Sequence, residues 1–155
     1  MSMETLITGM QTSLRNAAGL AYVADADIFI TPDENILPMS CGFPAIGLKD
    51  GPVTRQLTSV GSSSLWDVRY RVHVLTYVDM SAGETPVIGQ ANPLIKGILT
   101  IGDDIQLVLH ENYQSIAGVI DAYCAEETES EVVGGKDMII LKKRQTYEYW
   151  AQEIL

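Results

Sequence analysis

Apolar positions change their spacing along the chain, and those changes divide it into elements. Leu6, Ile7, Met10, Leu14 and Ala17 recur at helical spacing, with Thr8, Gln11, Thr12 and Arg15 on the other side. One apolar stripe at that period predicts an amphipathic helix lying on something flat. Ser2 suits its N-cap and Gly19 its C-terminal stop. Residues 26–31 predict a short strand, ended by the turn chemistry of Pro32, Asp33, Glu34 and Asn35. Residues 36–42 are irregular, residues 43–48 extended, and Lys49-Asp50-Gly51 predicts a turn. Residues 53–60 and 65–78 then predict a long hairpin across Gly61-Ser62-Ser63-Ser64. In its second arm Val68, Tyr70, Val72 and Val74 alternate with Arg69, Arg71 and His73. Alternation at period two buries one face and leaves the other to solvent or a partner.

After a loop at residues 79–83, helical spacing returns between residues 86 and 110, in one or two pieces. Asn92-Pro93 fits a helix start, and Leu94, Ile98, Ile101, Ile105 and Val108 form a core-facing stripe. Gly102 followed by Asp103-Asp104 predicts a kink or a break, with the acids at a new helix start. Residues 111–117 link to a strand over 118–125. An acidic run follows (Glu126, Glu127, Glu129, Glu131), then a Gly134-Gly135 turn and a last strand over 138–150. Tyr149 and Trp150 must point to opposite faces of that strand. The order of elements predicts a single α+β domain over residues 1–155. Its core is a mainly antiparallel twisted sheet, with the N-terminal helix and a central helical region packed on one face.

Charge and cysteine usage narrow the function classes. Twenty acidic residues against ten Lys and Arg give a formal net charge of −10, which argues against non-specific phosphate binding. Cys41 and Cys124 stand far apart with no CxxC, so they read as reduced, buried thiols of a reducing compartment. The opening residues lack a basic region before an apolar run, and no stretch has the ~18–20 apolar residues of a membrane span. A soluble protein is the expectation.

Residues able to carry chemistry are sparse. His73 lies among arginines on a strand, and His110 ends a helix; neither has the spacing of a metal or nucleophile site with a cysteine. Asp103-Asp104 and the acidic run read as helix capping and a solvated loop. Residues 61–64 lack the lysine and following helix of a phosphate loop. The sequence therefore predicts no catalytic residue, no metal site and no cofactor. Arg55, Arg69 and Arg71 stand on adjacent predicted strands in a chain poor in cations. They read either as solvated positions or as a subunit interface meeting acids of a neighbour, such as Asp103 and Asp104 or the run from Glu126 to Glu131.

The layout resembles the tail terminator (tail-completion) proteins of long-tailed bacteriophages. The resemblance rests on the opening stretch Leu6 to Leu14 and the arm Val68-Arg-Tyr-Arg-Val-His-Val. It continues in the passage Ile105-Gln-Leu-Val-Leu-His-Glu-Asn112 with Ile116-Ala-Gly118-Val119, and in the closing strand with Tyr147-Glu-Tyr. It implies a structural, non-enzymatic protein that forms a ring, commonly a hexamer, on the head-proximal end of the tail. Its implied partners are its own copies, the tail tube protein and a head-completion or neck protein. Neither sequence-specific nucleic acid nor membrane is implied, and the implied location is the virion, with assembly in the host cytoplasm. An acidic lumen would let DNA pass without sticking. Alternatives are a neck or head–tail connector subunit, another minor tail component, a non-viral binding module and a small enzyme. Residues 35–42, 61–64 and 126–135 are expected to be loops that order on binding.

Overall fold

The structure, a computed structural model, describes residues 1–61, 63–80, 84–91, 94–134 and 139–154. Helix α1 (Met3–Asn16) begins where Ser2 Oγ accepts the Thr5 amide, and it buries Leu6, Ile7, Met10 and Leu14. It ends two residues before the expected stop. Ala17 is the C-cap, and Gly19 falls in a 3-10 turn, Ala18–Leu20. A second 3-10 turn, Asp25–Asp27, takes up the start of the first expected strand and leaves β1 as Ile28–Ile30.

Strand β2 (Ala45–Ser59) runs straight through Lys49-Asp50-Gly51, where the sequence predicts a turn. Its register against β3 (Leu65–Asp79) shifts between Asp50 and Val53, so the glycine serves a bulge. A Cβ on Gly51 would lie 2.7 Å from the Arg71 carbonyl oxygen. Turn and bulge share the same residue chemistry, which is why composition does not separate them. Of the expected hairpin tip, Ser62 lies outside the described residues, as do residues 81–83 of the following loop.

The central helical region is less helical than its spacing implies. A one-turn helix α2 (Thr85–Ile88) is followed by β4 (Gln90–Ala91) and β5 (Leu94–Ile95), paired antiparallel. The expected start at Asn92-Pro93 lies outside the described residues, but Leu94 belongs to β5 and is 74% exposed. Gly89, at φ 78°, turns α2 into β4 in a conformation closed to most L-residues. Helix α3 (Ile98–Leu109) then continues unbroken through Gly102-Asp103-Asp104. Gly102 is buried and its carbonyl accepts a 3.0 Å hydrogen bond from Gln145 Nε2. The glycine gives close approach to the sheet, and the two aspartates lie mid-helix rather than at a cap.

The link from α3 to β6 (Val119–Glu127) is tightly built. Asn112 Nδ2 donates to the Val108 carbonyl, its Oδ1 accepts the Gln114 amide, and Glu111, Gln114 and Ser115 have positive φ. Ser13 Oγ of α1 donates to Gln114 Oε1 at 2.7 Å, so the turn docks on the first helix. The acidic run is partly strand: Glu126 and Glu127 end β6, and Glu131 opens β7 (Glu131–Gly134). Gly135 of the expected turn and Met138 of the expected strand start are outside the described residues. Strand β8 (Ile139–Ile154) extends past Trp150.

These strands form one sheet in the order β1-β2-β3-β8-β6, with β7 also on β8. Among the described residues only β1 with β2 is parallel; the other pairs are antiparallel. The α+β expectation, with a mostly antiparallel sheet, holds. Helices α1 and α3 cover one face, packing Leu6, Met10, Leu14, Ile101 and Ile105 on Val68, Val72, Val74, Tyr147 and Tyr149. On the other face a smaller core of Phe29, Ala45, Leu75, Tyr77 and Ile140 sits under Leu37, Cys41, Phe43 and Val133. The irregular segment after β1 therefore has a packing role. Among the described residues no helix covers the remainder of that second face.

Leu6 is fully buried between helix and sheet, so Leu6→Ala should lower stability by about 2–5 kcal/mol. Thr12→Ala on the exposed side should stay within about 0.5 kcal/mol. Urea denaturation of both variants tests the assignment of faces.

Candidate interaction surface

Antiparallel register sets the chemistry of the helix-free face. It places Arg69 opposite Trp150 and Arg71 opposite Glu148, while Tyr123 faces Glu148 from β6. Glu148 is only 3% exposed. Its Oε1 accepts from Arg69 Nη1 and from the Tyr123 hydroxyl (2.8 Å), and its Oε2 from Arg71 Nε (2.9 Å). The Arg69 guanidinium also lies 5.1 Å from the Trp150 ring centroid. Burial pushes the Glu148 carboxyl up, but hydrogen bonds from Arg69, Tyr123 and Arg71 outweigh it and leave it below the ordinary range. Two arginines laid over one buried carboxylate make this part of the face a closed polar layer, their guanidinium groups still reaching water.

His73 stands next along β3, its Nδ1 2.9 Å from Thr146 Oγ1. Burial, then Arg144 and Lys49, hold its pKa below the ordinary value, favouring the neutral ring. Further along, Lys142 is 2% exposed and bonds Glu131 at 2.7 Å, with Glu34 Oε1 and Asn35 Oδ1 both at 3.2 Å. Tyr77 donates its hydroxyl to the Glu34 carbonyl at 2.6 Å. This clamp fastens the 33–35 turn to the sheet.

The five residues singled out as an interface do not converge within one chain. Arg55 pairs in register with Val68, so it shares the helix-bearing side, opposite Arg69 and Arg71. It is exposed. Asp104 accepts the Tyr22 hydroxyl at 2.7 Å and pairs with Lys96 at 3.5 Å, whereas Asp103 is exposed on α3. Reversing Arg69 or Arg71 to Glu would bring like charges onto buried Glu148 and so disturb folding before assembly. Glu148, Tyr123 and Lys142 are absent from the sequence-based candidates. Apart from Glu131, eleven positions before Lys142, their partners lie 25 to 108 positions away, and no local pattern carries that information.

Both cysteine thiols are shifted toward the protonated form. Burial, then Asp27, pushes the Cys41 thiol to about 11, and burial pushes Cys124 up; both thiols are free. Thiols so raised are protonated at neutral pH and weakly nucleophilic. Among the described residues no group of three or more His, Cys, Asp or Glu could hold a metal ion. No helix of the described residues is long and apolar enough to cross a membrane.

Apolar side chains instead mark the two ends of the long strands, ~50 Å apart for fifteen residues. Val60 (84% exposed) and Ile154 (72%) lie at the hairpin end; Ile88, Leu94 and Ile95 project at the other. Between them runs an unpaired edge, because β1 covers only Ile46–Leu48 of β2.

Acid should weaken the polar layer. With its folded carboxyl below 4.5, Glu148 binds fewer protons folded than unfolded near that value. Its contribution is complete above pH 4.5 and is lost as pH falls through the folded value. Glu148→Gln should flatten that part of the acid slope, read from denaturation midpoints across the carboxylate range. Lys142→Ala should speed amide exchange in residues 33–41 while leaving α1 protected, because it frees the covering segment alone.

No protein-family model matches the chain, and no curated protein matches it. Among solved structures, a chain from the virion of a native gene transfer agent particle is similar in fold. The TM-score is 0.55 at 11% identity, over 96% of this chain and 95% of that one. The likeness spans both chains nearly end to end, and at that identity it is a likeness of fold.

Proposed function

We propose that the chain is a structural subunit of a phage-like virion and, within that class, a tail terminator. In this reading it forms a ring, commonly of six copies, at the head-proximal end of the tail tube. One axial surface meets the tube protein and the other a head-completion or neck protein. The observation that carries the reading is the end-to-end likeness to a chain of a gene transfer agent virion. Two features support it. Exposed apolar residues sit at both ends of the long strands, as a subunit held between two axial partners requires. Of the residues read as an interface, Arg55 and Asp103 are exposed on separate elements, β2 and α3, as a head-to-tail contact between copies requires. A neck or head–tail connector subunit is the second reading, supported by the same fold likeness.

Light-scattering mass and negative-stain microscopy of the purified chain test the proposal. A discrete ring with an open centre that binds the ends of tail tubes is the expected result. A chain that stays monomeric at every concentration, and also fails to bind tubes, would remove the terminator reading.

A further inference from the structure

We infer that copies of this chain join edge to edge. The open arm of β2 in one copy pairs with the acidic β6–β7 edge of the next, continuing the sheet between subunits. The inference rests on the self-assembling reading above and names the surfaces that carry it.

The arm is the first observation. β1 ends at Ile30, and beyond Leu48 the outer side of β2 has no strand beside it among the described residues. Lys49 and Pro52 guard the first part of that edge, in the manner of edges kept from indiscriminate pairing. From Val53 to Leu57 neither lysine nor proline stands and the register is regular, and residues 54–59 are exposed. An unpaired strand of this length is a template for an added strand.

The opposite edge is the second. Near its start β6 is closed off: the Ala122 carbonyl accepts the Glu111 amide, and its own amide donates to Asp121 Oδ1. Beyond Cys124 the edge turns acidic, with exposed Glu126 and Glu129 beside Glu127 and Glu131, which pair with Lys143 (3.0 Å) and Lys142 (2.7 Å) of β8. Opposed to it, the arm carries Arg55 and no acid between Val53 and Ser59. Charge thus selects which edge meets which, and disfavours two acidic edges meeting.

Strand direction is the third. β2, β3, β8 and β6 alternate in direction, so the two outer edges run oppositely. A copy added by continuing the sheet therefore meets the arm antiparallel, the commoner pairing. Along the sheet, Arg55 is level with Ala151 through Val68, and Glu127 is level with Gln145. Joining those points steps each copy six positions along the strands (151 − 145). That is ~20 Å over four strands ~19 Å wide, a strand tilt near ~45°. Sheets close on themselves at tilts of about 35–45°, so the contact suits a closed ring better than a flat array.

Complementation between blocked edges tests this. Of the neighbouring amides at Thr54 and Arg55, one points at β3 and one outward, so Thr54→Pro or Arg55→Pro blocks the arm with the fold retained. Near-UV circular dichroism identifies which. Arg55→Glu, which leaves the backbone unchanged, serves as the second arm variant. Glu126→Lys with Glu129→Lys alters the other edge at exposed positions. Each folded variant should run as a monomer by light scattering, and the proline arm variant mixed with the acidic-edge variant should stop at a 1:1 dimer, each chain keeping one working edge. Wild-type-sized rings from the folded arm variants would overturn the edge pairing while leaving the virion reading standing. A mixture that stays monomeric would overturn it too, as would a wild-type chain that never self-associates.

Discussion

The antiparallel ladder between β3 and β8 is the constraint on which the rest depends. It is continuous over fifteen facing pairs, from Leu65 with Ile154 to Asp79 with Ile140. Because side chains alternate across a strand, this one register decides both faces together. It aligns Val68, Val72 and Val74 with Tyr147 and Tyr149 beneath the helices. It also stacks Arg69, Arg71 and His73 against Trp150, Glu148 and Thr146 on the other side. A slip of one position would exchange those faces, placing charges under α1.

The two faces solve burial differently. Under the helices, apolar contact is the main stabilising term, and the polar atoms there are matched in pairs. Gln145 bonds the Gly102 carbonyl through its amide, and Tyr147 donates its hydroxyl to Gln145 Oε1. On the far side the chain covers one end with its own irregular segment, and the rest with long polar side chains. Glu148 would be costly to bury alone; three donors from the two flanking strands satisfy it. That layer needs no helix to exclude water, so the face remains level and accessible. Helices confined to one side also leave both sheet edges reachable.

What the sequence by itself determined is the part that depends on neighbours along the chain. The stripe of Leu6, Met10 and Leu14 dictates a helix because residues three and four apart share its surface. The alternation from Val68 to Val74 dictates a half-buried strand for the parallel reason. Those two patterns carried the α+β architecture. Only the tertiary structure decided the rest. Lys49-Asp50-Gly51 reads locally as a turn, yet β3 alongside it turns the same residues into a bulge. Gly102-Asp103-Asp104 reads as a break, yet contact with Gln145 makes a small residue at position 102 a packing requirement inside one helix. Likewise Arg69 and Arg71 were visible as unusual cations, but their acid, Glu148, was not. Its neighbours Tyr147 and Tyr149 mark a strand, and nothing local shows that the residue between them meets two arginines seventy-seven and seventy-nine positions earlier. Periodicity encodes which face a residue takes; which residue it meets there is set by register between distant strands, and register exists only once the sheet has formed.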